Sequence, residues 1–156
     1  MTTDPDALLA EYRKAGKVPN LGKPSTWNPA LSLRDYQGVG AAYLITKKKF
    51  VLGDPTGSGK TPMTLYSWAR VRDARIKQGK QLKLWVVTTK SAVTQWAEEV
   101  EKFLIGVKAY PVPEGKPFPK RLDVVKAWID DFDSPVLVQN WRQFANDWQK
   151  LVNTGS

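Results

Sequence analysis

The residues with the clearest chemical capacity stand together in the run Asp54-Pro55-Thr56-Gly57-Ser58-Gly59-Lys60-Thr61. Glycines at 57 and 59 let the backbone turn where a Cβ would clash, so that successive N–H groups converge on one anion. Lys60 offers a point charge for the β and γ phosphates of a nucleotide, and Thr61 a hydroxyl for Mg²⁺. A helix starting here adds a favourable dipole at its N-terminus. The candidate nucleotide cradle is therefore Thr56, Gly57, Ser58, Gly59, Lys60 and Thr61, with Lys60 and Thr61 as candidate catalytic residues and Thr61 as the Mg²⁺ contact through bound ATP. The strict pattern GxxxxGK[ST] is not met, because Asp54 stands where its first glycine belongs. An ordinary strand-to-helix turn of this composition is the competing reading.

Such a loop works only if a strand delivers it and a helix receives it. Phe50-Val51-Leu52 is a short apolar run, and Pro62 sits where a helix's first turn tolerates a missing N–H. Upstream, Tyr36, Val39, Gly40 and Tyr43 have helical spacing, which predicts a helix from Arg34 to about Thr46. Downstream, Leu84-Trp85-Val86-Val87 reads as a strand, and Val93, Trp96, Val100 and Phe103 as a helix face. A short strand over Gly106 to Tyr110, a Pro-rich loop from Pro111 to Pro119, and a helix through Leu122, Val125 and Ile129 follow. Pro135 to Val138 then predicts a buried strand, and Trp141 to Leu151 a last helix. Strands alternating with helices imply an α/β fold with a parallel sheet flanked by helices. Residues 1–32 hold Pro5, Pro19, Pro24 and Pro29 and read as an arm or linker with one helix-compatible stretch, Asp6 to Lys14. Residues 33–152 form the predicted lobe, and 153–156 a tail.

Composition narrows the chemistry. With no Cys and no His in 156 residues, disulfides, thiolate metal sites and His-based triads are excluded. No apolar run approaches the ~18 residues that span a bilayer, and the polar start Met1 to Asp6 does not read as a signal peptide. The expectation is a soluble, intracellular protein of the cytoplasm, a host's cytoplasm or a nucleus, with no membrane partner. A net charge of +9, from 24 basic and 15 acidic residues, suits a polyanionic partner, with a merely solubilising basic surface as the alternative. Arg70, Arg72, Arg75, Lys77, Lys80, Lys83 and Lys90 form a basic stretch opposed only by Asp73, either a backbone track or a solvated helix face.

The eight-residue loop resembles motif I of superfamily 2 helicases, in which a Gly-x-Gly-Lys-Thr core follows less constrained residues. The resemblance implies a P-loop NTPase of RecA-like fold, specifically the first lobe of a helicase or Snf2-type DNA translocase. Leu33-Arg34-Asp35-Tyr36-Gln37 resembles the family's Q-motif segment, which implies that Gln37 reads adenine with Arg34 beside the base. A carboxamide has the donor and acceptor such pairing needs; a glutamine on a solvated helix face is the alternative. Val86-Val87-Thr88-Thr89-Lys90-Ser91 with Gln95-Trp96-Glu99 resembles motif Ia, implying that Thr88, Thr89 and Lys90 meet the nucleic-acid backbone. Their hydroxyls, amides and ammonium suit phosphate oxygens, although Ser91 as a simple helix cap is an equal reading. Val136-Leu137-Val138-Gln139-Asn140-Trp141 is similar to motif Ib, which adds Asn140 to the nucleic-acid candidates. The family usually has Thr and Tyr at Asn140 and Trp141. Trp141 reads more readily as core than as a base-stacking ring.

The sequence contains no Asp-Glu dipeptide, the family's motif II, which holds Mg²⁺ and positions the attacking water. Asp130-Asp131-Phe132-Asp133 precedes a strand instead of following one and reads as a solvated loop. The expectation is thus an ATP- and Mg²⁺-binding, nucleic-acid-binding lobe, DNA favoured over RNA, resembling the first part of a longer motor. In that reading the second lobe lies in the full-length parent, and this chain alone does not hydrolyse ATP. A regulator that keeps the lobe as a scaffold for nucleic acid or protein is the competing class.

Overall fold

The structure, a computed structural model, describes residues 6, 7, 10, 14, 21–47, 53, 59–133 and 135–155. The chain divides into two compact units, residues 1–80 with 103–105, and residues 81–102 with 106–156. The predicted strand Phe50-Val51-Leu52, the loop residues Asp54 to Ser58 and most of the Asp6 to Lys14 stretch lie outside the described residues. Asp6, Ala7, Ala10 and Lys14 are themselves helical.

The first unit is built on two helices, α1 (Asp35–Thr46) and α2 (Lys60–Lys77). Alanines make their close approach possible: Ala41, Ala42 and Ala69 are fully buried, as are Met63 and Leu65. The Ser67 hydroxyl, on α2, lies 3.1 Å from the carbonyl of Ala41 and 2.7 Å from that of Met63, so a buried polar group is satisfied where the helices meet.

Residues Leu21 to Leu31, expected to be part of an arm, are instead fastened to α2. Leu21 and Trp27 are buried, the Tyr66 hydroxyl donates to the Gly22 carbonyl at 2.9 Å, and Arg70 Nε donates to the Leu21 carbonyl at 3.2 Å. Ser25 bonds Asp73 through its amide (2.7 Å) and its hydroxyl (2.8 Å). Trp27 packs edge-on to Tyr66 at 4.9 Å and stacks on Phe103 at 5.4 Å. Proline content suggested a loose segment; two large apolar side chains decided otherwise, because burying each is worth roughly 1.5–3 kcal/mol.

The second unit carries a three-stranded parallel sheet of β1 (Leu84–Thr88), β2 (Ala109–Pro111) and β3 (Val136–Asn140), with β3 central. Leu84 pairs with Val136 and Thr88 with Asn140, while Ala109 pairs with Val136. A 3₁₀ turn (Lys90–Ala92) leads from β1 into α3 (Val93–Phe103); α4 (Phe118–Asp130) joins β2 to β3, and α5 (Trp141–Gly155) follows β3. Every residue of β3 is buried, as expected for a central parallel strand. Against Leu137 pack Val112, Val125 and Trp128, with Trp85, Tyr110 and Leu122 around them.

This is an α/β arrangement with a small parallel sheet flanked by helices, compatible with a RecA-like fold. The last helix continues past Leu151 to Gly155, so residues 153–155 are helical where the sequence suggested a tail. Among the described residues no helix is long and apolar enough to cross a membrane.

Candidate functional site

In the first unit, the described end of the phosphate-loop candidate is Gly59, the residue preceding α2. Its backbone is left-handed (φ 83°, ψ 45°), a conformation that glycine adopts without penalty. Having no side chain, it supplies no side-chain cap to the 18-residue helix. Lys60 and Thr61 form the opening of that turn and are partly exposed. Thr56, Gly57 and Ser58, the remaining members of the predicted cradle, lie outside the described residues.

Gln37 is brought to this point from α1. It is 6% exposed, its Oε1 accepts a 2.7 Å hydrogen bond from the Arg34 amide, and its Nε2 donates to the Gly59 carbonyl at 3.3 Å. The side chain therefore ties the start of α1 to the start of α2, and it is buried where the sequence alone left a solvated helix face open. Arg34 stands one turn away with an exposed side chain. The fold thus gathers Arg34, Gln37, Gly59, Lys60 and Thr61 in one unit.

In the second unit, the sheet register gathers the other candidates. Thr88 and Asn140 are paired neighbours at the carboxyl ends of β1 and β3, with Thr89 and Lys90 immediately beyond Thr88. Open parallel sheets bind ligands at this edge. Asn140 is 4% exposed; its Oδ1 accepts from the Gln143 amide at 2.8 Å, capping α5, and its Nδ2 donates to the Glu114 carboxylate. Ser91 lies inside the 3₁₀ turn, Thr89 occupies the turn's cap position without a side-chain cap bond, and the two hydroxyls share a 3.4 Å hydrogen bond.

A cleft of about 430 Å³ opens at this edge, lined in part by Lys90, Glu114, Lys116, Asn140, Trp141 and Arg142. Glu114 Oε2 lies 3.9 Å from Lys90 Nζ. Arg121, also at the cleft, is held by Asp147 through two 2.6 Å bonds and donates to the Lys116 carbonyl at 2.6 Å. Sequence reading missed Glu114, Lys116 and Arg142, which lie in a loop and a helix turn without a pattern of their own. It also favoured a core position for Trp141, whereas the ring is 56% exposed. A partly exposed aromatic cluster is made by Trp85 with Phe144 (5.2 Å) and Trp148 (6.2 Å), without Trp141, which lines the cleft.

The basic stretch is not one surface. In the first unit Arg70 bonds the Leu21 carbonyl, and Arg72 is buried with its guanidinium 5.8 Å from the Trp68 ring. In the second, Lys83 donates to the Trp128 carbonyl at 2.8 Å and to the Asp131 carbonyl; burial pushes its pKa down, with Asp131 and Asp130 opposing. The acidic run after α4 is partly structural. Asp131 accepts from the Tyr110 hydroxyl (2.7 Å) and the Asp133 amide (2.9 Å). These two bonds hold its carboxyl below the usual range, against burial and with help from Lys83 and Lys108.

No protein-family model matches the sequence. Over 94 residues the chain is 32% identical to the ATP-dependent helicase FUN30 of Saccharomyces cerevisiae. The match takes in 58% of this chain and 8% of the yeast protein.

Proposed function

We propose that this chain binds ATP with Mg²⁺ through Thr56, Gly57, Ser58, Gly59, Lys60 and Thr61, as a first RecA-like lobe of a Snf2-type DNA motor. The observation that carries the reading is Gln37. Its carboxamide is delivered from α1 to the Gly59 carbonyl, beside the helix start that bears Lys60 and Thr61. An adenine reader has to stand beside a phosphate cradle, and the carboxamide that ties α1 to α2 stands there. The partial likeness to a protein named an ATP-dependent helicase supports the same nucleotide and a nucleic-acid partner.

The described residues fit the group. A helix N-terminus, a lysine and a hydroxyl suit a triphosphate. Mg²⁺ would arrive on phosphate oxygens, retaining waters and taking Thr61 as its protein contact. When bound, ATP supplies the phosphoanhydride whose cleavage drives a motor; the residues here bind and orient it. In the second unit, Thr88, Thr89, Lys90 and Asn140 serve the nucleic-acid backbone.

The test is calorimetric titration with a non-hydrolysable ATP analogue and Mg²⁺, beside the same titration with GTP, on wild type and Gln37→Ala. Saturable binding favouring ATP, with the preference reduced in the variant, supports the reading. Equal affinity for both nucleotides in the wild type removes the adenine role, and absence of both leaves a scaffold.

A further inference from the structure

The cleft at the carboxyl ends of β1 and β3 holds two features that a plain backbone track does not require. One is a carboxylate placed among cations. Arg121 is neutralised by Asp147, so Lys90, Lys116 and Arg142 remain against Glu114 alone among the lining residues. Glu114 is also the group to which the buried Asn140 donates, at the N-terminus of the 15-residue helix α5. Its oxygens thus occupy the position that the asparagine amide and Lys90 jointly offer an anion. The other feature is Trp141, exposed in the lining of the same cleft, with the Arg142 guanidinium 6.0 Å from the centre of its ring.

We propose that this cleft takes one step of an unpaired nucleic-acid strand. A phosphodiester displaces the Glu114 carboxylate from Asn140 and Lys90, and the adjoining base stacks on Trp141. The cleft volume of about 430 Å³ falls inside the roughly 300–1,000 Å³ range of sites for small organic groups, so a nucleotide-sized unit is accommodated. A duplex keeps its bases stacked on one another and offers the ring no face, whereas any unpaired base does. The inference rests on the reading that this edge meets nucleic acid. It adds that the edge selects single strands and that Glu114 is an internal competitor.

Fluorescence anisotropy at low salt with the whole chain separates these claims. Three labelled probes serve: an oligo-dT, an oligomer of equal length whose sugars carry no bases, and a blunt duplex. Wild type is expected to bind oligo-dT more tightly than the abasic oligomer and the duplex. Trp141→Ala should weaken oligo-dT roughly tenfold, in line with the loss of one base stack, and leave the abasic oligomer unchanged. Trp141→Phe should restore part of the difference. Because the ring is exposed, neither change is expected to disturb folding. Glu114→Gln should tighten both single-stranded probes about threefold, the size expected for removing one partly exposed like charge. If wild type binds the duplex as tightly as oligo-dT and Trp141→Ala alters neither, the base-stacking claim fails while nucleic-acid binding stands. If Glu114→Gln weakens binding or has no effect, the displaced-carboxylate claim fails. No binding of any probe overturns both this inference and the reading beneath it.

Discussion

Replacing Gly59 by alanine perturbs two things that can be measured apart. The new Cβ would fall 2.0 Å from Gln37 Nε2 and 3.3 Å from its Cδ, at a residue whose φ is +83°. A left-handed residue that carries a Cβ costs roughly 1–2 kcal/mol. The clash itself is relieved by motion of the glutamine, a flexible side chain, but moving it gives up the bonds to Gly59 O and the Arg34 amide. One is long and one is short, and together they are worth about 1–2 kcal/mol net. Gly59→Ala should therefore lose about 2–4 kcal/mol, and Gln37→Ala about 1–2 kcal/mol, by these same terms.

The double variant discriminates. Once Gly59→Ala has displaced the glutamine, truncating it removes nothing further, so the pair should cost about what Gly59→Ala costs alone. The coupling is then about 1–2 kcal/mol, well beyond the roughly 0.3–0.5 kcal/mol scatter of independent sites. Urea unfolding of the four proteins, followed by fluorescence and by hydrogen exchange of the α1 and α2 amides, measures it. Additive losses would refute the contact between Gln37 and the N-terminus of α2. An undiminished Gly59→Ala protein would refute the left-handed turn as well.

Lys60→Ala should reduce ATP-analogue affinity at least tenfold by calorimetry while leaving the thermal midpoint within a few degrees, because Lys60 is partly exposed at a helix start. Asp147→Asn should destabilise the second unit by about 2–3 kcal/mol in thermal unfolding. Asp147 is 1% exposed, and the change strips a buried, doubly bonded partner from a guanidinium that is still partly solvated. Tyr110→Phe should narrow the pH range of stability. The Asp131 carboxyl is lowered by the Tyr110 bond, so its contribution is present above the ordinary carboxylate pKa and fades as pH falls below about 4. The Tyr110 phenol is raised by the same bond, so its contribution is present below about pH 10 and fades above it. The gap between wild type and variant in urea midpoints should thus be widest near neutrality and shrink at both ends; a constant gap refutes the pairing.

Most of the secondary structure was legible because its signals are local. Apolar runs bounded by turns gave β1 and β3, and spacings of three and four gave α3 and α4, with ends within a few residues of those observed. The candidate site could be read only as far as a motif singles out its own residues, Gln37, Lys60 and Asn140, whose roles stand as proposals. It was illegible where partners come together from separate segments. Nothing near Leu21 or Trp27 announces Tyr66 and Phe103 as neighbours, and nothing near Glu114 announces Asn140, because such contacts are fixed only by register and helix packing. Trp141 misled for a related reason. Hydrophobicity predicts burial on average, but Trp85, Phe144 and Trp148 make their aromatic contacts without it.

In the two proposals above, the two units use one physical device twice. Each offers an anion the N-terminus of a helix, α2 or α5, with a lysine or arginine at its start: Lys60 in one, Arg142 in the other. That device recognises charge and cannot by itself tell a triphosphate from a phosphodiester. Discrimination has to come from the side chain set beside it. Gln37 offers hydrogen bonds in a plane, which suit the edge of one base, while Trp141 offers a face, which suits any unpaired base. Exchanging the anion-binding residues should therefore change affinity without changing preference. Changing Gln37 or Trp141 should alter preference while much of the charge-driven affinity and its salt dependence remain.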